Sequence, residues 1–176
     1  MSTFPVGVTG LVVAVPEADQ LIGDLRVRYV REVEGLPAHV TVLYPWLPQE
    51  LIDAHQLSRL RAVAATLEPF DAQLCGVGRF PGTLWLKPTP TEAFVALTNA
   101  VWRQWPDYPP FEGQYDEVIP HLTVAESQTE DLLDHLRQSL PPFAPFSFRV
   151  TELTLLAFNG QAWRPLGLIP LGARPY

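Results

Sequence analysis

The run histidine, apolar residue, threonine, valine is written twice in this chain, as His39-Val40-Thr41-Val42 and as His121-Leu122-Thr123-Val124, with a proline shortly before each histidine. β-Branched residues recur in both runs and favour a strand, in which successive side chains point to opposite faces. Val40 and Val42 then share one face while His39 and Thr41 share the other; Leu122 and Val124 oppose His121 and Thr123 in the same way. Each strand buries its apolar face, which leaves an imidazole and a hydroxyl on the far side. If the two strands belong to related lobes packed about a pseudo-twofold axis, both polar faces open on one cleft.

The surroundings repeat as well. Phe80 to Trp85 reads "FPGTLW" and Phe158 to Trp163 reads "FNGQAW", with phenylalanine, glycine and tryptophan at the same spacing and at a similar distance beyond each histidine. Periodicity predicts a strand over 6–15, a helix over 17–30, a strand over 39–44 and a helix over 48–68 with a proline near its start. Strands over 70–80 and 83–87 follow around a Pro-Gly turn, then a helix over 91–105. After a proline-rich, acidic loop from Pro106 to Pro120 come a strand over 121–126, a helix over 129–140 and a last pair of strands over 146–158 and 162–171. The second half thus repeats the plan strand, helix, strand, strand. The expected fold is α+β and bilobal, a single domain over 1–176. Two pseudo-symmetric, interleaved lobes of antiparallel sheet flanked by helices would carry one motif each, with a cleft between them.

A chain of 176 residues that is 47% hydrophobic can build such a core. Its longest apolar runs, such as Leu11 to Val15, are too short to span a bilayer, and no basic stretch precedes them; a cytoplasmic protein without a membrane partner is expected. The single cysteine, Cys75, agrees with a reducing compartment, and its apolar strand setting reads as buried filler. A formal charge of −7 with one lysine, Lys87, argues against a long duplex partner. Arg26, Arg28 and Arg31 form a loose group upstream of His39, either a solvated helix face or a positive lip for a phosphate-bearing ligand. A small nucleotide or an RNA end fits this charge, and a monomer is the default.

Two imidazoles and two hydroxyls in one small volume suit chemistry at a phosphodiester. A neutral histidine takes a proton from the attacking oxygen while the other, protonated, donates to the departing one. Threonine hydroxyls hold the non-bridging oxygens, whose charge grows in the transition state. The scheme calls for no cofactor, and without a carboxylate or cysteine cluster at ligand spacing no metal site is expected. A 2′,3′-cyclic phosphate is a fitting substrate, because its ring sets both ester oxygens on one phosphorus. Run backwards with a 5′-hydroxyl nucleophile, the same groups would join RNA ends through a 2′-5′ bond. A non-catalytic nucleotide-binding module is the other reading of this cleft; two intact motifs favour catalysis.

Other residues are read with their alternatives open. His55 and His135 lie on predicted helices as ordinary surface residues. Trp85 and Trp163, with Phe80 and Phe158, either pack as core and rim or stack on a base. Tyr115, in the loop before the second motif, either covers the cleft as part of a lid or stands exposed.

With both "HVTV" and "HLTV" in place, and "LYP" and "PHLTV" around them, the sequence resembles the two-histidine (2H) phosphoesterase superfamily over nearly its whole length. That superfamily includes the bacterial 2′-5′ RNA ligase family and cyclic phosphodiesterases, and its signature is one such motif per lobe. The resemblance implies an acid-base pair of His39 and His121, phosphate-binding hydroxyls on Thr41 and Thr123, and a 2H-type phosphodiesterase with a role in RNA processing.

Overall fold

In the computed structural model, which describes residues 4–31, 34–127, 129–140 and 145–172, the chain runs through β1 (Thr9–Ala14), α1 (Asp19–Tyr29), β2 (His39–Leu43), α2 (Ala54–Ala65), β3 (Phe70–Phe80) and β4 (Thr83–Thr89). It continues through α3 (Thr91–Trp102), β5 (Leu122–Glu126), α4 (Glu130–Ser139), β6 (Phe146–Val150), β7 (Glu152–Phe158) and β8 (Trp163–Pro170). The strands form two four-stranded antiparallel sheets, ordered β2-β1-β7-β8 and β5-β4-β3-β6. This is the α+β, two-sheet architecture expected. Each motif strand is the edge of its sheet, and β2 and β5 lie beside one another where the sheets meet.

The alternation of side chains builds that seam. In β2, Val40 and Val42 are buried while His39 and Thr41 are half-buried; in β5, Leu122 and Val124 are buried while Thr123 is half-buried. The core joins the inner faces of both sheets, with Val13, Val40 and Val42 from one and Leu84, Leu86 and Val124 from the other. Phe94 and Leu97 of α3 and Leu60 of α2 complete it. Each fully buried aliphatic side chain contributes roughly 1.5–3 kcal/mol. Helix α1 packs against β5 and α3 against β2. Thr98 of α3 is buried and its Oγ1 donates to the Val42 carbonyl at 2.7 Å, which ties α3 to the first motif strand.

Three sequence expectations change here. The stretch 146–158, read as one strand, is two: β6 pairs with β3 in one sheet and β7 with β1 in the other, with Thr151 between them. The residue pattern changes at that point. β6 alternates in burial, whereas β7, flanked on both sides by strands, is buried almost throughout. The second change follows from the first. Hairpin β3–β4 of the first half shares a sheet with β5, and hairpin β7–β8 of the second half shares a sheet with β2, so each motif strand is carried by the other half's hairpin. The third concerns α2, which begins at Ala54 rather than near Pro48 because Asp53 caps it, its side chain accepting from the Gln56 N–H at 2.8 Å. Residues 49–51 form only a short 3₁₀ turn.

The approach to β2 is fixed against β8. Trp163 N–H donates to the Glu34 carbonyl at 2.9 Å. Gly35 has φ +74°, and a Cβ there would lie 2.1 Å from the Trp163 carbonyl oxygen, so only glycine fits.

Candidate active site

Where β2 and β5 meet, a cavity of about 570 Å³ is lined by His39, Thr41, His121 and Thr123 together. The two imidazoles are held alike. His39 Nδ1 lies 2.8 Å from the Pro37 carbonyl, and His121 Nδ1 lies 2.8 Å from the Ile119 carbonyl, in each case two residues upstream. A carbonyl only accepts, so Nδ1 carries the proton and the neutral ring keeps its lone pair on Nε2. The hydroxyls of Thr41 and Thr123 line the same cavity and bond to no other described residue.

Electrostatics favour neutral rings. The pKa of His39 is lowered from 6.5 to about 4, chiefly by burial; the charges of Arg26 and His121 add to that, while the Pro37 carbonyl and Asp19 oppose it. That of His121 is lowered as well, by burial, with the Ile119 carbonyl opposing. Each ring is thus a proton acceptor at neutral pH in the empty cleft. Arg31 and Glu126 are the charged partners at the rim, where the Arg31 N–H donates to Glu126 Oε2 at 3.3 Å and links the end of α1 to β5.

The remaining walls are largely apolar. Gly10, Val12 and Leu156 make the floor, and Phe4, Tyr44 and Trp163 stand at one end, with the Phe4 ring edge-on to Trp163 at 5.1 Å and to Tyr44 at 5.9 Å. Phe111 also lines the cavity, its ring nearly parallel to that of His121 at 6.5 Å. It sits in a left-handed pair with Glu112, at φ 51° and 58°, and its N–H donates to the Tyr44 carbonyl at 2.6 Å. Non-glycine residues hold that conformation at a cost, and at functional sites surrounding contacts enforce it.

A sequence model of the 2′-5′ RNA ligase superfamily matches residues 14–162, which takes in both motifs and the first hairpin. The chain belongs to this superfamily. No curated protein matches it at a significant level. Among solved structures, Escherichia coli LigT complexed with 3′-AMP is similar at 19% identity, over 95% of this chain and 99% of that one, with a TM-score of 0.60. E. coli LigT complexed with NADP+ is similar at 20% identity over 96% and 99%, TM-score 0.58. TT0787 of Thermus thermophilus is similar at 19% identity over 96% and 100%, TM-score 0.60. At such identities the likeness establishes the superfamily's fold.

Within this superfamily fold the other sequence candidates fall in different places. Trp85 and Phe80 do not line the cavity. They stack on each other at 4.8 Å and meet the His121 ring edge-on, at 6.1 and 5.1 Å, so they pack against the imidazole. Trp163, equivalent to Trp85 in spacing alone, is on the far edge strand of the other sheet and does line the cavity. Tyr115 is 67% exposed, outside the lining, and edge-on to Phe111 at 5.7 Å. His55 and His135 are exposed. Cys75 is half-buried rather than buried, 3.6 Å from the Thr89 hydroxyl. Among the described residues no three His, Cys, Asp or Glu side chains gather as a metal site, and no helix is long and apolar enough to cross a membrane.

Sequence reasoning missed Phe111, Phe4 and Tyr44 as lining residues, and it misread Arg26. A phenylalanine in a proline-rich loop carries no sign that its backbone turns left-handed. Arg26 is 3% exposed rather than part of a solvated face. Its spacing of seven from Asp19, which places both on one side of a helix with Ile22, was the available signal.

Proposed function

We propose that this superfamily member is a metal-independent phosphodiesterase that hydrolyses 2′,3′-cyclic phosphates, or 2′-5′ linkages, of nucleotides or RNA ends. The observation that carries the reading is the matched pair of Nδ1–carbonyl bonds, which leaves two Nε2 atoms and two unengaged threonine hydroxyls for one cavity. His39, whose pKa is held down to about 4, acts as the base and takes a proton from water as its oxygen bonds to phosphorus. His121, whose proton affinity the arriving phosphate anion raises so that it takes up a proton from solvent, gives that proton to the ribose oxygen as the second P–O bond breaks. Thr41 and Thr123 donate to the non-bridging oxygens as their charge grows. The apolar floor and aromatic end accept a nucleoside, and the cavity lies within the size range that takes small ligands, about 300–1,000 Å³. The LigT structures of the same fold hold 3′-AMP and NADP+, ligands of that class.

The test is incubation with 2′,3′-cyclic AMP and 2′,3′-cyclic GMP in EDTA, with monophosphate products followed by chromatography. Product from wild type and none from His39→Ala or His121→Ala is expected. Full activity in both single variants sinks the histidine mechanism, and strong inhibition by EDTA replaces it with a metal one. Saturable nucleotide binding without product assigns the cleft to a binding module, and 2′-5′ joining of RNA ends assigns it to a ligase.

A further inference from the structure

Arg26 is a buried cation whose hydrogen bonds converge on the segment just before His39. Its Nη1 meets Asp19 Oδ1 at 2.5 Å, and its Nη2 donates to the Leu36 and Pro37 carbonyls, each at 3.0 Å. Asp19 closes the ring from the other side, Oδ2 accepting from the Ala38 N–H at 2.9 Å. The Pro37 carbonyl is also the acceptor for His39 Nδ1. One helix face thus grips the three residues before His39, and it grips the atom that orients the imidazole. A buried charge persists only when paired and fully hydrogen-bonded, and a packed hydrophobic residue would serve stability as well. His121 lacks this arrangement: no described side chain donates to the Ile119 carbonyl, and Ile119 is exposed.

We infer that the Asp19–Arg26 pair is a positioning device for His39, holding the Pro37 carbonyl so that the imidazole keeps its proton on Nδ1 and presents a bare Nε2 to the cleft. The inference gives the two histidines unequal roles and rests on the reading of His39 as the base. Arg26 touches neither substrate nor reacting atoms; it acts through the Pro37 carbonyl. The charged groups that bear on His39 are Arg26 and Asp19 from α1 and His121 from the facing strand. Arg26 and His121 push its proton affinity down while Asp19 pushes it up. The two charges of the pair therefore act with opposite signs at the imidazole, while loosening of the segment, which lets in water, acts in one direction whichever half is lost; a loss of kcat at constant KM is what a purely structural brace would not give.

Three variants of the full chain test this: Arg26→Met, Arg26→Lys and Asp19→Asn, each checked by thermal melting. The His39 pKa is read by NMR titration of the imidazole, a measurement that stands whether or not the protein turns over cyclic nucleotides. Arg26→Met is expected to raise the His39 pKa, Asp19→Asn to lower it, and Arg26→Lys to hold it near wild type. With 2′,3′-cyclic AMP, Arg26→Met should lose kcat on the order of 10²-fold, the cost of misplacing a reacting group by about 1 Å. KM should stay within about twofold, since uniform binding is untouched, and Arg26→Lys should recover part of the rate. Shifts in one direction for both Arg26→Met and Asp19→Asn, or none in either, overturn the inference, as does an unchanged kcat in Arg26→Met. If Arg26→Met fails to fold, Asp19→Asn decides alone: a fall in the His39 pKa together with a loss of kcat at near-constant KM supports the device, and an unchanged kcat, or a rise or no change in the pKa, overturns it. These shifts in the variants of a wild type that hydrolyses nothing defeat the phosphodiesterase reading and leave the positioning intact.

Discussion

At the scale of single residues, the two histidines set both the pH dependence of activity and part of that of stability. Catalysis needs His39 neutral and His121 protonated, and both pKa values are lowered, that of His39 from 6.5 to about 4. The profile of kcat/KM against pH is therefore expected to be a bell lying on the acid side, its alkaline limb below the ordinary histidine value because burial lowers the His121 pKa, and its acid limb near 4 as His39 gains a proton. Steady-state rates from pH 3.5 to 8 measure it; a maximum well above neutrality contradicts the assignment of roles. The stability sign runs the same way. Between about 4 and 6.5 the unfolded chain binds a proton that folded His39 refuses, so this contribution is complete above 6.5 and is lost as pH falls toward 4. The urea midpoint of His39→Ala should accordingly fall less steeply over that window than that of wild type, while its turnover drops by about 10²–10⁴-fold.

At the scale of elements, the hairpins matter through what they place against His121. Gly78 of β3 faces Trp85 of β4, and a Cβ on Gly78 would lie 2.2 Å from that indole ring. Gly78→Ala must push the ring off its seat, which removes its packing against His121. Overpacking of this kind costs about 1–3 kcal/mol. We expect a lower melting temperature together with a loss of kcat, and loss of stability alone would show that the Trp85 ring does not hold the imidazole. The other edge strand has a polar tether instead. Thr98→Val deletes the bond to the Val42 carbonyl and leaves that acceptor unpaired, a cost of about 1–3 kcal/mol. Chemical denaturation should show it, with the His39 variants' activity pattern unaltered.

At the scale of the whole molecule, the crossing of hairpins makes the halves interdependent. The sheet that carries His39 needs β7 and β8 from the end of the chain, and the sheet that carries His121 needs β3 and β4 from the first half. Residues 1–105 or 106–176 expressed alone are expected to be unfolded by circular dichroism, and together they should recover structure. A folded single fragment would mean that each half holds its own core. Charge acts at this scale too. With a net charge of −7 and Arg31 as the basic side chain at the cavity rim, the affinity for a short single-stranded RNA end should fall with salt with a slope of about −0.7 in log-log terms, one phosphate contact.

Sequence alone determined the local grammar of this protein. The alternation in His39-Val40-Thr41-Val42 and in its second copy decides which face is apolar, whatever the strand pairs with, and the elements from β3 to α4 follow from patterns a few residues long. It also carried the membership, since the family model matches residues 14–162 of the sequence itself. What needed the tertiary structure were the relations between distant residues. The pattern changes between Val150 and Glu152, but that change does not say that the chain leaves one sheet for another, because strand propensity is the same on both sides and the partner strands lie far away in sequence. Trp85 and Trp163 share a spacing but not a place, because a hairpin's position in a sheet is set by which neighbour it pairs with. Phe111 enters the cleft because its backbone is held by the Tyr44 carbonyl, and Arg26 is buried because Asp19 and two carbonyls replace its water. Those are long-range compensations, and their energies exist only once the chain has closed on itself.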